Sequence, residues 1–150
     1  MKILYFFVSL ADLTMTVTCD NKMNVYVDGS LVKKHDDWTK ASTINLGTDP
    51  VLVAIQCTDL GVIGGILAHF SNGEGTDSTW KCRNGHEDNW NQPGFDDSHW
   101  PNAHEIIQYP GGIWKTVKGM SGNPYWIWTN NYQGHQSDRD VFCRKNIIGK

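Results

Sequence analysis

Asp96 and Asp97 put two carboxylates side by side, the raw material of glycosidic-bond hydrolysis. Their spacing argues against that use. Successive residues of an extended chain face opposite ways. The paired carboxyls of a glycosidase instead flank one bond, about 5–5.5 Å apart in retaining enzymes and about 6.5–9.5 Å in inverting ones. The segment Phe95-Asp96-Asp97-Ser98 is therefore read as structural, with carboxylate and hydroxyl capping a turn that Phe95 and Trp100 anchor. The histidines (His35, His69, His86, His99, His104 and His135) show neither i,i+2 nor i,i+4 spacing, so they outline no metal set. G-x-S-x-G, P-loop and H-E-x-x-H patterns are missing. Catalysis is not expected of this chain, and no cofactor is implied.

Binding chemistry is better represented. A sugar offers flat C–H faces and a rim of hydroxyls, so its site wants an aromatic platform beside amides, carboxylates and an Arg or His. The polar loop 130–139 combines Tyr132, His135, Asp138 and Arg139 with amides, and these four are the candidate ligand-binding residues. Trp90, inside the polar stretch 87–92, is the candidate stacking partner, and Trp38 also lies in a polar segment. The competing reading is that loop residues 132–139 only tie the loop down. Trp80, Trp100 and Trp126 or Trp128 are expected in the core, while Trp114 fits either role.

The elements that must position these groups follow from patterning. The chain has 150 residues with seven Trp and fifteen Gly, and its 39% hydrophobic content argues against disorder. Net charge is −3 and Lys/Arg residues form no cluster, which speaks against a nucleic-acid partner. No run approaches the ~20 apolar residues of a membrane span. Residues 1–11 (Lys2, an apolar run, then Ser9-Leu10-Ala11) read as a signal peptide, the competing reading being a first β-strand, and residues 12–150 as one domain.

Period-two alternation dominates from there on. Strands are expected over 13–19, 23–27, 30–32, 51–57, 63–70, 79–82, 103–107, 113–117, 125–129 and 141–145. Asp28-Gly29 suits a two-residue hairpin turn, and Gly64-Gly65 marks a bulge or close sheet packing. Residues 83–98 form a long polar loop. The expected fold is all-β, an antiparallel β-sandwich of the jelly-roll kind. A structural Ca²⁺ held by loop carboxylates and carbonyls would suit such a fold, at a place the sequence does not indicate.

Cys19, Cys57, Cys82 and Cys143 lack C-x-x-C spacing and each shares a strand face with apolar or aromatic neighbours. Two disulfides are expected, free core thiols being the alternative, and three pairings are open. Cys57–Cys82, bracketing the intervening strand, with Cys19–Cys143, joining the chain's ends, is the pairing read here.

Two segments carry a resemblance. Thr18-Cys19-Asp20-Asn21 through Val25-Tyr26-Val27-Asp28-Gly29 resembles the strand–turn–strand of galactose-binding-like jelly rolls. Thr79-Trp80-Lys81-Cys82, Trp90 and Phe95-Asp96-Asp97-Ser98-His99-Trp100 are similar to a second signature of those modules, and Trp126-Ile127-Trp128-Thr129 with Asp140-Val141-Phe142-Cys143-Arg144-Lys145 to their last hairpin. Asp28 stands where the family usually has Asn. Arg139-Asp140 lacks the spacing of the fucose-binding branch, so that site is not carried over. The resemblance implies a secreted, non-catalytic, lectin-like domain whose partners are glycans or glycoproteins, with homo-oligomers supplying avidity. The alternative is an extracellular matrix or fibre protein using the same fold for assembly.

Overall fold

The computed structural model describes residues 11–134 and 136–147. Residues 1–10 of the expected signal segment, and His135, lie outside them. The described strands are β1 (Leu13–Asp20), β2 (Lys22–Val27), β3 (Ser30–His35), β4 (Ser42–Gly47), β5 (Leu52–Thr58), β6 (Gly65–Phe70), β7 (Lys81–Asn84), β8 (His104–Gln108), β9 (Tyr125–Trp128) and β10 (Asp140–Asn146). They form two antiparallel five-stranded sheets, ordered β4-β1-β6-β9-β8 and β3-β2-β5-β10-β7, and the sheets make a sandwich. The expected strand over 113–117 is instead a 3₁₀ turn, Gly112–Trp114, and β4 is an addition.

Alternation places the central core. Met15, Val17 and Cys19 of β1 face Val53, Ile55 and Cys57 of β5 across the sandwich. The Asp28-Gly29 turn has positive φ at both residues (49° and 90°), the geometry that matches strand twist. Asp28 also accepts the backbone N–H groups of Val51 and Leu52, at 2.9 and 2.8 Å, which ties the hairpin to β5. Gly64-Gly65 makes room for tryptophan: a Cβ on Gly64 would lie 2.5 Å from the Trp128 ring, and one on Gly65 2.8 Å from Trp126.

Both sheets are covered on their outer faces as well, and the tryptophans do the covering. On the second sheet Trp90, Trp100 and Phe95 of the 85–103 connection pack over Leu52, Ala54, Phe142 and Tyr26. On the first, Tyr109, Trp114 and Val117 of the 109–124 connection close over Leu67 and Trp126, with Trp38 alongside. Arg144, fully buried, latches the 85–103 cover of the second sheet through Asp97 Oδ2 at 2.7 Å. Asp96 Oδ1 accepts the Ser98 N–H at 3.0 Å, so the adjacent carboxylates are structural.

The cysteine pairing differs from the expected one. Cys19 bonds Cys57 and Cys82 bonds Cys143. All four do point inward, but pairing depends on strand order. Cys82 and Cys143 stand directly opposite on neighbouring strands β7 and β10. Cys19 and Cys57 face each other from different sheets.

Candidate functional site

The 130–139 loop shows its residues largely engaged with the fold. Asp138 knots it, accepting from Thr129 Oγ1 at 2.6 Å and Asn131 Nδ2 at 3.2 Å, while its carbonyl takes the Trp128 indole N–H at 3.0 Å. Tyr132 stacks on His104, with ring centroids 4.6 Å apart, and packs against the core. These contacts match the loop-tying reading. Trp90 is no exposed platform. It is 5% exposed and held edge-on by Tyr26 and Phe142 at 5.5 and 4.9 Å, because the outer face of the second sheet is apolar beneath it.

Arg139 leads elsewhere. Its Nη1 donates to the carbonyls of Asp59 (3.4 Å) and Gly61 (3.2 Å), and the Asp59 N–H returns a bond to the Arg139 carbonyl at 2.7 Å. Arg139 thereby fixes the 59–61 turn against the β1–β2 turn, where Asn21 N–H donates to the Thr58 carbonyl and Asn21 Oδ1 accepts the Leu60 N–H at 2.6 Å.

Two carboxylates meet at this corner. Asp59 is 1% exposed; its Oδ1 takes the Gly61 N–H at 2.8 Å, and its Oδ2 is buried with no hydrogen-bond partner. Asp20 ends β1 on the outward side that carries Thr16 and Thr18. Burial pushes its carboxyl above the ordinary carboxylate range and the Asp59 charge adds to this, while the Trp114 indole N–H, 3.0 Å from Oδ2, opposes it. Among the described residues no Lys or Arg pairs with either carboxylate. An unpartnered buried carboxylate oxygen is costly, and here it stands beside a second desolvated acid. The arrangement suits a hydroxyl donor or a hard cation. Calcium takes 6–8 oxygens, typically with carboxylates among them. No group of three His, Cys, Asp or Glu side chains converges among the described residues. Asp20 and Asp59 would hold the ion only with carbonyls, water or ligand hydroxyls completing its shell.

The charge at Asp20 has a measurable consequence. A carboxyl whose pKa is raised on folding weakens the fold above that raised value, and the penalty disappears as pH falls through it toward the unfolded value. Asp20→Asn keeps an acceptor for Trp114 and removes the charge. In chelator its melting temperature should exceed wild type at pH 7, with the difference shrinking in acid. A lower melting temperature at pH 7 would contradict the assignment.

Asp20, Asn21 and Asp59 were not among the sequence candidates. They carried a signal, Asp20-Asn21 within the resemblance and Asp59 in the Thr58-Asp59-Leu60-Gly61 turn, but both read as ordinary turn chemistry.

No protein-family model matches the chain. An alpha-L-rhamnosidase of Streptomyces avermitilis is 29% identical, over 69% of this chain and 12% of the enzyme. Among solved structures, the Pleurotus ostreatus lectin superposes in its apo form with TM-score 0.58 and 26% identity, covering 71% of this chain and 35% of the lectin. The same lectin in complex with GalNAc gives TM-score 0.58 and 26% identity over 71% of this chain and 36% of that one. The chain thus spans about a third of the lectin and about an eighth of the rhamnosidase. The resemblance to carbohydrate-binding jelly-roll modules read from the sequence is upheld.

Proposed function

We propose that this chain is a non-catalytic, lectin-like carbohydrate-binding module whose site is the Asp20–Asn21–Asp59 corner. The observation that carries the reading is the buried, unpartnered Asp59 carboxylate oxygen beside desolvated Asp20, framed by Trp114 and braced by Arg139. Sugar hydroxyls, alone or with a calcium ion, reach the half-buried Asp20 and Asn21 at the rim of the corner, where the buried Asp59 charge strengthens the pull on donors and cations. The likeness to a lectin seen with GalNAc supports the substrate class. Two disulfides accord with an oxidising, extracellular setting, where glycans and glycoproteins are the partners and homo-oligomers raise weak single-site affinity.

A glycan array probed in calcium and in chelator tests this. Wild type should retain a defined set of glycans. Asn21→Ala and Asp59→Ala should each weaken retention about tenfold or more, a loss of about 1.4 kcal/mol. Retention unchanged in both variants would overturn the corner as the site. No retention of any glycan by wild type, with sugar-insensitive polymers in sedimentation, would favour the assembly role instead.

A further inference from the structure

The outer face of the second sheet changes from apolar to polar partway along its strands. On β5 the outward residues run Leu52, Ala54, then Gln56, Thr58. The apolar pair lies under the Trp90–Trp100 cover, and the polar pair lies beyond it. β2 switches at the same level, Tyr26 opposite Ala54 giving way to Asn24 and Lys22, and β10 one pair later, Phe142 opposite Gln56 giving way to Asp140 opposite Thr58. The uncovered half is a groove made of two adjoining hollows, about 420 and 480 Å³, with Gln56 lining both. Each is within the usual size of a ligand site.

The groove floor is a row of side chains already fixed in orientation. Asn24 Nδ2 donates to Gln56 Oε1 at 3.3 Å, Gln56 Nε2 donates to Asp140 Oδ1 at 3.2 Å, and Thr58 Oγ1 donates to the same oxygen at 3.0 Å. Lys34 of β3 stands opposite Asn24 at one end, and the rims of Trp90 and Phe142 wall the other hollow. The row crosses three strands, about 10 Å at the usual strand spacing, and about 14 Å with Lys34 on a fourth, which is longer than one sugar ring. Lys22 and Thr58, which line one end of the groove, are the chain neighbours of Asn21 and Asp59, so the groove ends at the same end of the sandwich as the corner.

Resting on the carbohydrate reading above, we infer that this groove binds the successive residues of an oligosaccharide whose terminal sugar occupies the corner. A strand-like peptide is a poorer match. Peptides add to sheet edges through main-chain bonds, and on this face the main chain is already paired on both sides of β2, β5 and β10. The face offers side-chain amides, a hydroxyl, carboxylates, lysines, histidines and aromatic rims, the partners of hydroxyls and C–H faces. Orientation fixed before binding lowers the entropic cost of reading a flexible chain.

The test uses an array printed with mono-, di-, tri- and tetrasaccharides sharing the same terminal sugars, with titration of the retained ones. Wild type should bind a tetrasaccharide about tenfold more tightly than its terminal monosaccharide. Asn24→Ala and Gln56→Ala, singly and together, should bring the tetrasaccharide down to the monosaccharide's affinity and leave the monosaccharide unaffected. Both positions lie in the uncovered polar half, and either variant that keeps the wild-type melting temperature suffices. Equal affinity for mono- and tetrasaccharide in wild type, or a length preference that survives both variants, would overturn the groove. Loss of all glycan retention by wild type would overturn the corner reading instead, so the two failures are distinct.

Discussion

Arg144→Ala is expected to destabilise the protein by about 3–5 kcal/mol, the range for breaking one side of a buried ion pair. Arg144 has no exposed surface, and its guanidinium is shared three ways: to Asp97 Oδ2 at 2.7 Å, to the Phe95 carbonyl at 3.0 Å and to the Gln92 carbonyl at 3.2 Å. It also lies 5.1 Å over the Phe95 ring. Alanine would leave the Asp97 carboxylate, itself largely buried, without its cation. It would also remove the guanidinium donor from the Phe95 carbonyl and from the Gln92 carbonyl, which would keep only the Phe95 N–H. The cover over Leu52, Ala54 and Phe142 depends on that donor, so the loss should reach Trp90 and Trp100. Urea unfolding followed by tryptophan fluorescence measures it, as a lower midpoint with a red-shifted native spectrum. Replacing both partners, Arg144→Met with Asp97→Leu, should cost much less than the two single changes added together, because no charge is stranded. Additive single effects would refute the latch.

That latch explains a motif whose chemistry was misleading at first sight. The two carboxylates of Phe95-Asp96-Asp97-Ser98 are adjacent in sequence, and one caps a turn while the other holds Arg144. The capping role was legible, since it is local. The Arg144 role was not, since its partner lies 47 residues away. The same division runs through the molecule. Alternation in Leu13–Asp20 displays faces and therefore a strand, and the apolar run over Leu52–Thr58 marks a buried one, because both patterns are properties of the local chain. Strand order is a property of the whole sheet, so the inward direction of every cysteine was readable and the pairing was not. Trp90 reads as a surface residue because its neighbours in sequence are polar. Its neighbours in space, Tyr26 and Phe142, come from two other strands. The corner was the least legible part. Asp20-Asn21 and Asp59 are common turn residues, and only their convergence, with one carboxylate oxygen left unpartnered, distinguishes them.

The two disulfides should be separable by their effect on binding although they are nearly equal in stability. In the chain-entropy account a cross-link stabilises by restricting the unfolded chain, and the dependence on loop length is logarithmic. Cys19–Cys57 is 38 residues apart and Cys82–Cys143 is 61. Each is therefore worth about 4 kcal/mol, or about 10–15 °C in melting temperature for a chain of this size. Their positions differ more than their energies. Cys82–Cys143 joins neighbours within one sheet, beneath strands that β-pairing already holds together. Cys19–Cys57 joins β1 to β5 across the sandwich, one residue before Asp20 and two before Asp59. It fixes the distance between the two turns that build the corner. Cys19→Ala with Cys57→Ala should therefore lower both the melting temperature and glycan affinity, the latter about tenfold or more even where the protein remains folded. Cys82→Ala with Cys143→Ala should lower the melting temperature to a similar degree and leave affinity below the transition close to wild type. Paired melts and titrations well below both transitions decide the matter. Equal affinity losses in the two variants would mean that the corner is not held by the inter-sheet bridge, and the placement of the site would have to be revised with it.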